Sequence, residues 1–113
     1  MSAARAKGTR WESAIVTYLN GEGFVMAERR ALAGSLDKGD ITGIPGVVIE
    51  AKNTKTIPLA QFLDEANTEA HNANADVGVA WIKRRGKASP ADGYVVMDGA
   101  TFIELLTDWV HAK

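Results

Sequence analysis

Cysteine is absent from all 113 residues. The chain therefore has no disulfide framework, no thiolate metal site and no thiol nucleophile, and any metal must rest on carboxylates, histidines or carbonyl oxygens. Carboxylates favour magnesium or manganese. No apolar run approaches the roughly 20 residues that span a bilayer, so no membrane partner is expected. The opening MSAARAKGTR is polar and basic with no apolar stretch behind it, which does not make a secretory signal and points to the cytoplasm. A nucleotide-type phosphate loop is missing, because residues 39–46 lack the lysine-plus-hydroxyl ending. Serine-based catalysis finds no support either. Of the two histidines, His71 sits among Glu69, Asn72 and Asn74 with no metal-ligand partner at i+4, and His111 lies two residues from the C-terminus. Neither is expected to be catalytic.

What is present fits one folded domain over residues 1–113. Hydrophobic residues make up 46% and charged residues 24%, the balance of a globular chain rather than a disordered one. The net charge of −1 conceals an uneven distribution. Lys7 and Arg10 open the chain, Arg29 and Arg30 follow, and Lys83, Arg84, Arg85 and Lys87 form a dense cluster. Asp64, Glu65 and Glu69, and later Glu104 and Asp108, are expected on outward helix faces. Local sign rather than the total decides attraction to phosphate, so the basic cluster is a candidate backbone clamp as well as an ordinary solvated loop.

Periodicity sets the elements. Trp11, Ile15, Tyr18 and Leu19 form one stripe of an amphipathic helix over residues 9–20, ended by Gly21 and Gly23. Residues 24–29 read as a strand, 31–39 as a mobile loop, and 40–42 as the start of a second strand. The turn Gly43-Ile44-Pro45-Gly46 joins it to the β-branched run Val47-Val48-Ile49, which continues through Glu50-Ala51-Lys52 as the other arm of a hairpin. Pro58 opens a helix whose expected buried face is Leu59, Phe62, Leu63, Ala66, Ala70 and Ala73. Strands over 77–83 and 94–97 and a last helix from about residue 100 complete the order α-β-β-β-α-β-β-α. Phe102, Leu105, Leu106 and Trp109 share one face of that last helix. The fold class is α/β, a central mixed five-stranded sheet flanked by helices. Trp11, Trp81 and Trp109 are expected in core or dimer packing rather than base stacking.

The chemistry is concentrated in the hairpin. Residues two apart on a strand share a face, so Glu50 and Lys52 point together and Ile49 and Ala51 point away. A short turn folds Asp40 back toward Glu50, placing two carboxylates and an ammonium within a few ångströms. A divalent cation held by Asp40, Glu50 and the Ala51 carbonyl relieves the repulsion. Such a site suits phosphodiester hydrolysis: the metal polarises the phosphate and acidifies water, while Lys52 orients or deprotonates that water or stabilises charge on phosphorus. Glu12, at the margin of the first helix's stripe, has two readings. It is either a fourth site carboxylate, touching the metal through water, or the last member of a capping box starting at Thr9.

Lys7-Gly8-Thr9-Arg10-Trp11-Glu12, Gly39-Asp40-Ile41 and Val48-Ile49-Glu50-Ala51-Lys52 together resemble the PD-(D/E)xK nuclease superfamily. They are most similar to its archaeal-type Holliday junction resolvases, which also occur in phage-encoded versions. The resemblance spans most of the chain in the right order. It implies a restriction-endonuclease-like core and a homodimer that nicks four-way DNA junctions in pairs with Mg²⁺, for which Mn²⁺ can substitute. Glu12, Asp40, Glu50 and Lys52 stand at the matching catalytic positions. Gln61 resembles an auxiliary polar residue of these nucleases, and Arg29, Arg30 and Ser35 resemble positions that approach DNA. Other repair or restriction-type nucleases of the superfamily, a non-catalytic DNA-binding relative, and a structural protein with a surface salt-bridge group are the competing readings.

Overall fold

The computed structural model describes residues 3–31 and 39–113; the expected loop segment 32–38, with Ser35, lies outside the described residues. Over the described residues the chain is α/β: three helices and an open, mixed five-stranded sheet of order β1-β2-β3-β4-β5. The elements are α1 (Ala3–Gly21), β1 (Glu28–Arg29), β2 (Ile41–Thr42), β3 (Val47–Lys52), α2 (Leu59–Asn72), β4 (Val77–Ile82), β5 (Tyr94–Val96) and α3 (Gly99–His111), with a 3₁₀ turn at Pro90–Asp92. β3 and β4 are parallel, in register from Val47↔Val77 to Lys52↔Ile82, and all other neighbours are antiparallel. A parallel pair needs a crossover, and α2 supplies it.

The two faces of β3 and β4 meet different helices. Ile49 and Val79 pack with Trp11, Ile15 and Leu19 of α1, while Ala80 and Ile82 pack with Phe62 of α2. The Trp11 indole also donates to the Trp81 carbonyl at 3.0 Å, pinning α1 across the sheet. Burying Ile15, Ile41 and Ile82 contributes roughly 1.5–3 kcal/mol each.

Several expected boundaries shift for identifiable reasons. α1 begins at Ala3 rather than near Thr9, because Ala3, Ala4 and Ala6 are strong helix formers and Gly8 only weakens the run. The expected strand over 24–29 shrinks to Glu28–Arg29: Asn20 Nδ2 donates to the Phe24 and Ala27 carbonyls at 2.8 and 3.2 Å, drawing those groups into a turn. Phe24, Val25 and Met26 are left exposed. α2 buries Phe62, Ala66, Glu69 and Ala70, so the expected stripe is rotated; Leu59 is exposed and Ala73 is the C-cap. Glu69 was expected to face outward and is instead only 4% exposed. The first expected strand residue, Asp40, immediately precedes β2, and the expected strands over 77–83 and 94–97 end one residue early.

Two glycines let the layers close. Gly43 has φ +94, and a Cβ there would strike the Met26 carbonyl, so the hairpin turn needs it. At Gly78 a Cβ would strike the Ala66 carbonyl, so α2 lies directly on the β4 backbone. Gly78→Ala is expected to lower the melting temperature by about 5–10 °C, at an overpacking cost of about 1–3 kcal/mol. An unchanged thermal unfolding curve would show that α2 sits farther from β4.

Candidate functional site

Strand alternation puts Glu50 and Lys52 on one face of β3, as the sequence predicts, and that face meets α2. Lys52 Nζ donates to Glu65 Oε2 at 2.6 Å and lies 4.7 Å from the Phe62 ring centroid, both on α2. Glu50 is 5% exposed, and its β4 neighbour in register is apolar Ala80. Such surroundings strip water from a carboxylate. Its pKa is pushed up to about 8, first by burial, with a hydrogen bond and like charge from Glu69 adding to the rise while an Asp40 hydrogen bond and the Lys52 charge oppose it.

Asp40 arrives through the hairpin. Its N–H donates to the Ile49 carbonyl at 3.1 Å, and its Oδ2 accepts the Ala51 N–H at 2.8 Å. The side chain is thereby fixed beside β3 at Glu50. The Lys52 carbonyl faces β4, where it accepts the Lys83 N–H at 2.9 Å. Backbone groups alternate sides along a strand, so the Ala51 carbonyl faces the Asp40 side.

Glu12 joins from α1. It accepts from Arg29 Nε at 3.2 Å, and its pKa is raised by burial and then by the Asp40 charge, against the pull of Arg29. The capping-box reading falls away because Thr9 lies inside α1 and cannot be its N-cap. A burial cost shared with Asp40 remains as the account of Glu12.

Two residues of the cluster escape a sequence reading that counts charges as outward. Glu69 shares a hydrogen bond with Glu50 inside the α2–sheet layer. Glu65 holds Lys52 and in turn accepts from Gln61 Nε2 at 2.9 Å, which lowers the Glu65 pKa. The signal was present as spacing: Glu65 and Glu69 are i, i+4, on the same side of α2 as Phe62 and Ala66. Gln61 therefore reaches the site through Glu65.

Lys52 is held charged. Burial works against the ammonium, but the Glu65 hydrogen bond and then the charges of Glu50, Glu65 and Glu69 outweigh it, and the pKa stands above its ordinary value.

The basic residues divide. Arg29 is paired to Glu12 at the site, and Arg30 Nη2 donates to Thr42 Oγ1 on β2 at 3.2 Å. Lys7, Lys83 and Arg85 line a separate cleft, Arg84 lies 6.0 Å from the Tyr94 ring centroid, and Arg10 and Lys87 are exposed. His71 and His111 are exposed and away from these groups.

Among the described residues, no group of three or more Asp, Glu or His side chains is placed to hold a metal ion. The nearest arrangement is the Asp40–Glu50 pair with the Ala51 carbonyl on its side. Mg²⁺ is commonly bound by only one or two carboxylates with several retained waters, so this donor set fits it. Among the described residues no helix is long and apolar enough to cross a membrane. Compared with family models, curated proteins and solved structures, the chain matches none.

Proposed function

We propose that this protein is a metal-dependent DNA endonuclease with a restriction-endonuclease-like core, acting as a structure-selective resolvase of four-way junctions. One observation carries the reading: Glu50 is buried against Asp40 and Glu69, with a charged lysine on the same face. A surface salt-bridge group would keep its carboxylates solvated and its pKa values low. Burying a carboxyl among other carboxylates costs stability and shifts its pKa, which is typical of functional sites.

In this reading Asp40, Glu50 and the Ala51 carbonyl hold Mg²⁺ or Mn²⁺, and Glu12 contacts it through water. When bound, the metal polarises the phosphate and acidifies its water. Lys52, kept protonated by Glu65, donates a hydrogen bond to the phosphate or the incoming water, which favours donation over its role as a base. Asp40 is itself positioned by the Ala51 N–H, so little reorganisation precedes the reaction.

The homodimer belongs to the same proposal, since a two-fold assembly matches the two equivalent strands of a junction. Supporting it, α3 buries only Thr101 and exposes Phe102, Ile103, Leu105, Leu106, Trp109 and Val110, while β5, an edge strand, exposes Tyr94 and Val95. Apolar exposure this continuous is uncommon on a lone chain. Light scattering is expected to give the mass of two chains, falling to one in a Phe102→Glu/Trp109→Glu variant. A wild-type mass of one chain contradicts the dimer.

The resolvase assignment is tested with labelled four-way, flap, linear duplex and single-stranded DNA in Mg²⁺. Paired nicks confined to the four-way substrate are expected. Equal cutting of linear duplex leaves a nuclease of the wider superfamily and removes the resolvase.

A further inference from the structure

Three segments far apart in sequence converge beyond the C-terminal ends of β3 and β4. Lys7 of α1, residues 53–55 and Ile57 after β3, and Lys83, Arg85 and Gly86 after β4 line a cleft of about 320 Å³. Among the described residues its charged lining is Lys7, Lys55, Lys83 and Arg85, with no acidic side chain. None of these four forms an ion pair among the described residues. Four cations facing one concavity repel each other, and an anion seated among them removes that cost.

The β4–β5 connection is shaped for this. Lys87 N–H donates to the Arg84 carbonyl at 3.1 Å, and Gly86 has φ +81. These are the marks of a type II turn with glycine at its third position. The turn separates neighbouring arginines: Arg84 lies over Tyr94, while Arg85 enters the cleft. On the opposite wall, Thr54 Oγ1 donates to the Thr56 carbonyl at 2.7 Å, tightening the segment that carries Lys55.

We propose that this cleft binds the phosphodiester backbone of a DNA strand leaving the cleavage site. The proposal rests on the nuclease reading for the identity of the strand. Position argues for a continuous polyanion over a lone small anion. Asn53 follows Lys52 directly, and the Lys83 N–H bonds the Lys52 carbonyl, so one end of the cleft adjoins the backbone of Lys52. Lys55 is three residues beyond Lys52, at most about 11 Å by chain reach, or about three base-pair rises along a duplex axis.

The test measures binding separately from cutting. Fluorescence anisotropy of labelled duplex and four-way DNA is recorded in EDTA over a KCl series, for wild type, Lys55→Ala/Arg85→Ala and, as a control, Arg5→Ala/Lys113→Ala. Both double variants remove two positive charges from exposed positions, and melting curves verify that each folds as wild type does. The cleft variant is expected to lower the log–log salt slope by about 2 and weaken binding by roughly 10- to 100-fold at 0.1 M salt. The control pair is expected to change binding less than threefold. Equal loss in both pairs, no loss in the cleft pair, or no DNA binding by wild type overturns the cleft. Inorganic phosphate or a mononucleotide binding as tightly as DNA also overturns it, in favour of a small-anion site. Cleavage in Mg²⁺ is scored in parallel. Wild type that binds through the cleft but never cuts removes the nuclease and keeps the cleft; wild type that cuts with unchanged binding by the cleft variant does the reverse.

Discussion

Glu50→Gln is expected to yield a protein that is more stable than wild type at pH 8.5 and inactive on DNA. The Glu50 pKa rises from 4.5 to about 8 in the folded chain. Between these values the folded state holds a proton that the unfolded chain has released, so stability falls as pH climbs. The contribution is fully present below about pH 4.5 and lost by about pH 8. Its size is on the order of 5 kcal/mol for the whole interval. Glutamine mimics the protonated carboxyl and cannot ionise, so the variant should escape this loss and melt roughly 20 °C higher at pH 8.5. Mg²⁺ is expected to raise the wild-type melting temperature at that pH and to leave Glu50→Gln unchanged, because ligand binding to the folded state adds stability. A Glu50→Gln protein that is less stable than wild type at pH 8.5 would mark Glu50 as a structural ion-pair member.

The second large effect concerns Lys52. Lys52→Met is expected to cut cleavage by about a thousandfold, about 4 kcal/mol of transition-state stabilisation, with DNA binding in EDTA nearly intact. Lys52→Arg keeps the positive charge and the donors and is expected to retain a tenth to a hundredth of wild-type activity. If Lys52 served as the base, arginine would be as inactive as methionine, since it does not deprotonate near neutral pH. Glu65→Gln supplies a check on positioning. It removes the carboxylate that keeps the ammonium charged, so the alkaline limb of the pH–rate profile is expected to move to lower pH. A profile that does not move would give Glu65 a purely structural role.

The hairpin site was legible because strand alternation is a strict geometric rule. Glu50, Lys52 and Asp40 fall where a period of two and a four-residue turn place them, and the element order follows from apolar periodicity. Glu65 and Glu69 were not legible from charge alone. Helix periodicity defines a buried stripe only to within about one residue, and the Gly78 contact with Ala66 decides which way α2 rolls onto β4. That roll buries Glu69 and exposes Leu59. The length of α1 is not legible in its apolar stripe, because Ala3, Ala4 and Ala6 extend the helix by intrinsic preference alone. The basic cluster was visible as composition, but its division was not: the turn at Gly86 sends Arg85 into the cleft and Arg84 toward Tyr94.

The central claim is that Asp40, Glu50 and Lys52 form a metal-dependent phosphodiesterase site. It is tested most directly by incubating wild type and Asp40→Ala with a labelled four-way DNA junction in Mg²⁺ or EDTA and resolving the products on a denaturing gel. The account predicts nicked strands from wild type in Mg²⁺ alone, with EDTA and Asp40→Ala each reducing cutting by at least a thousandfold. Intact DNA in every lane, or equal cutting by wild type and Asp40→Ala, contradicts it.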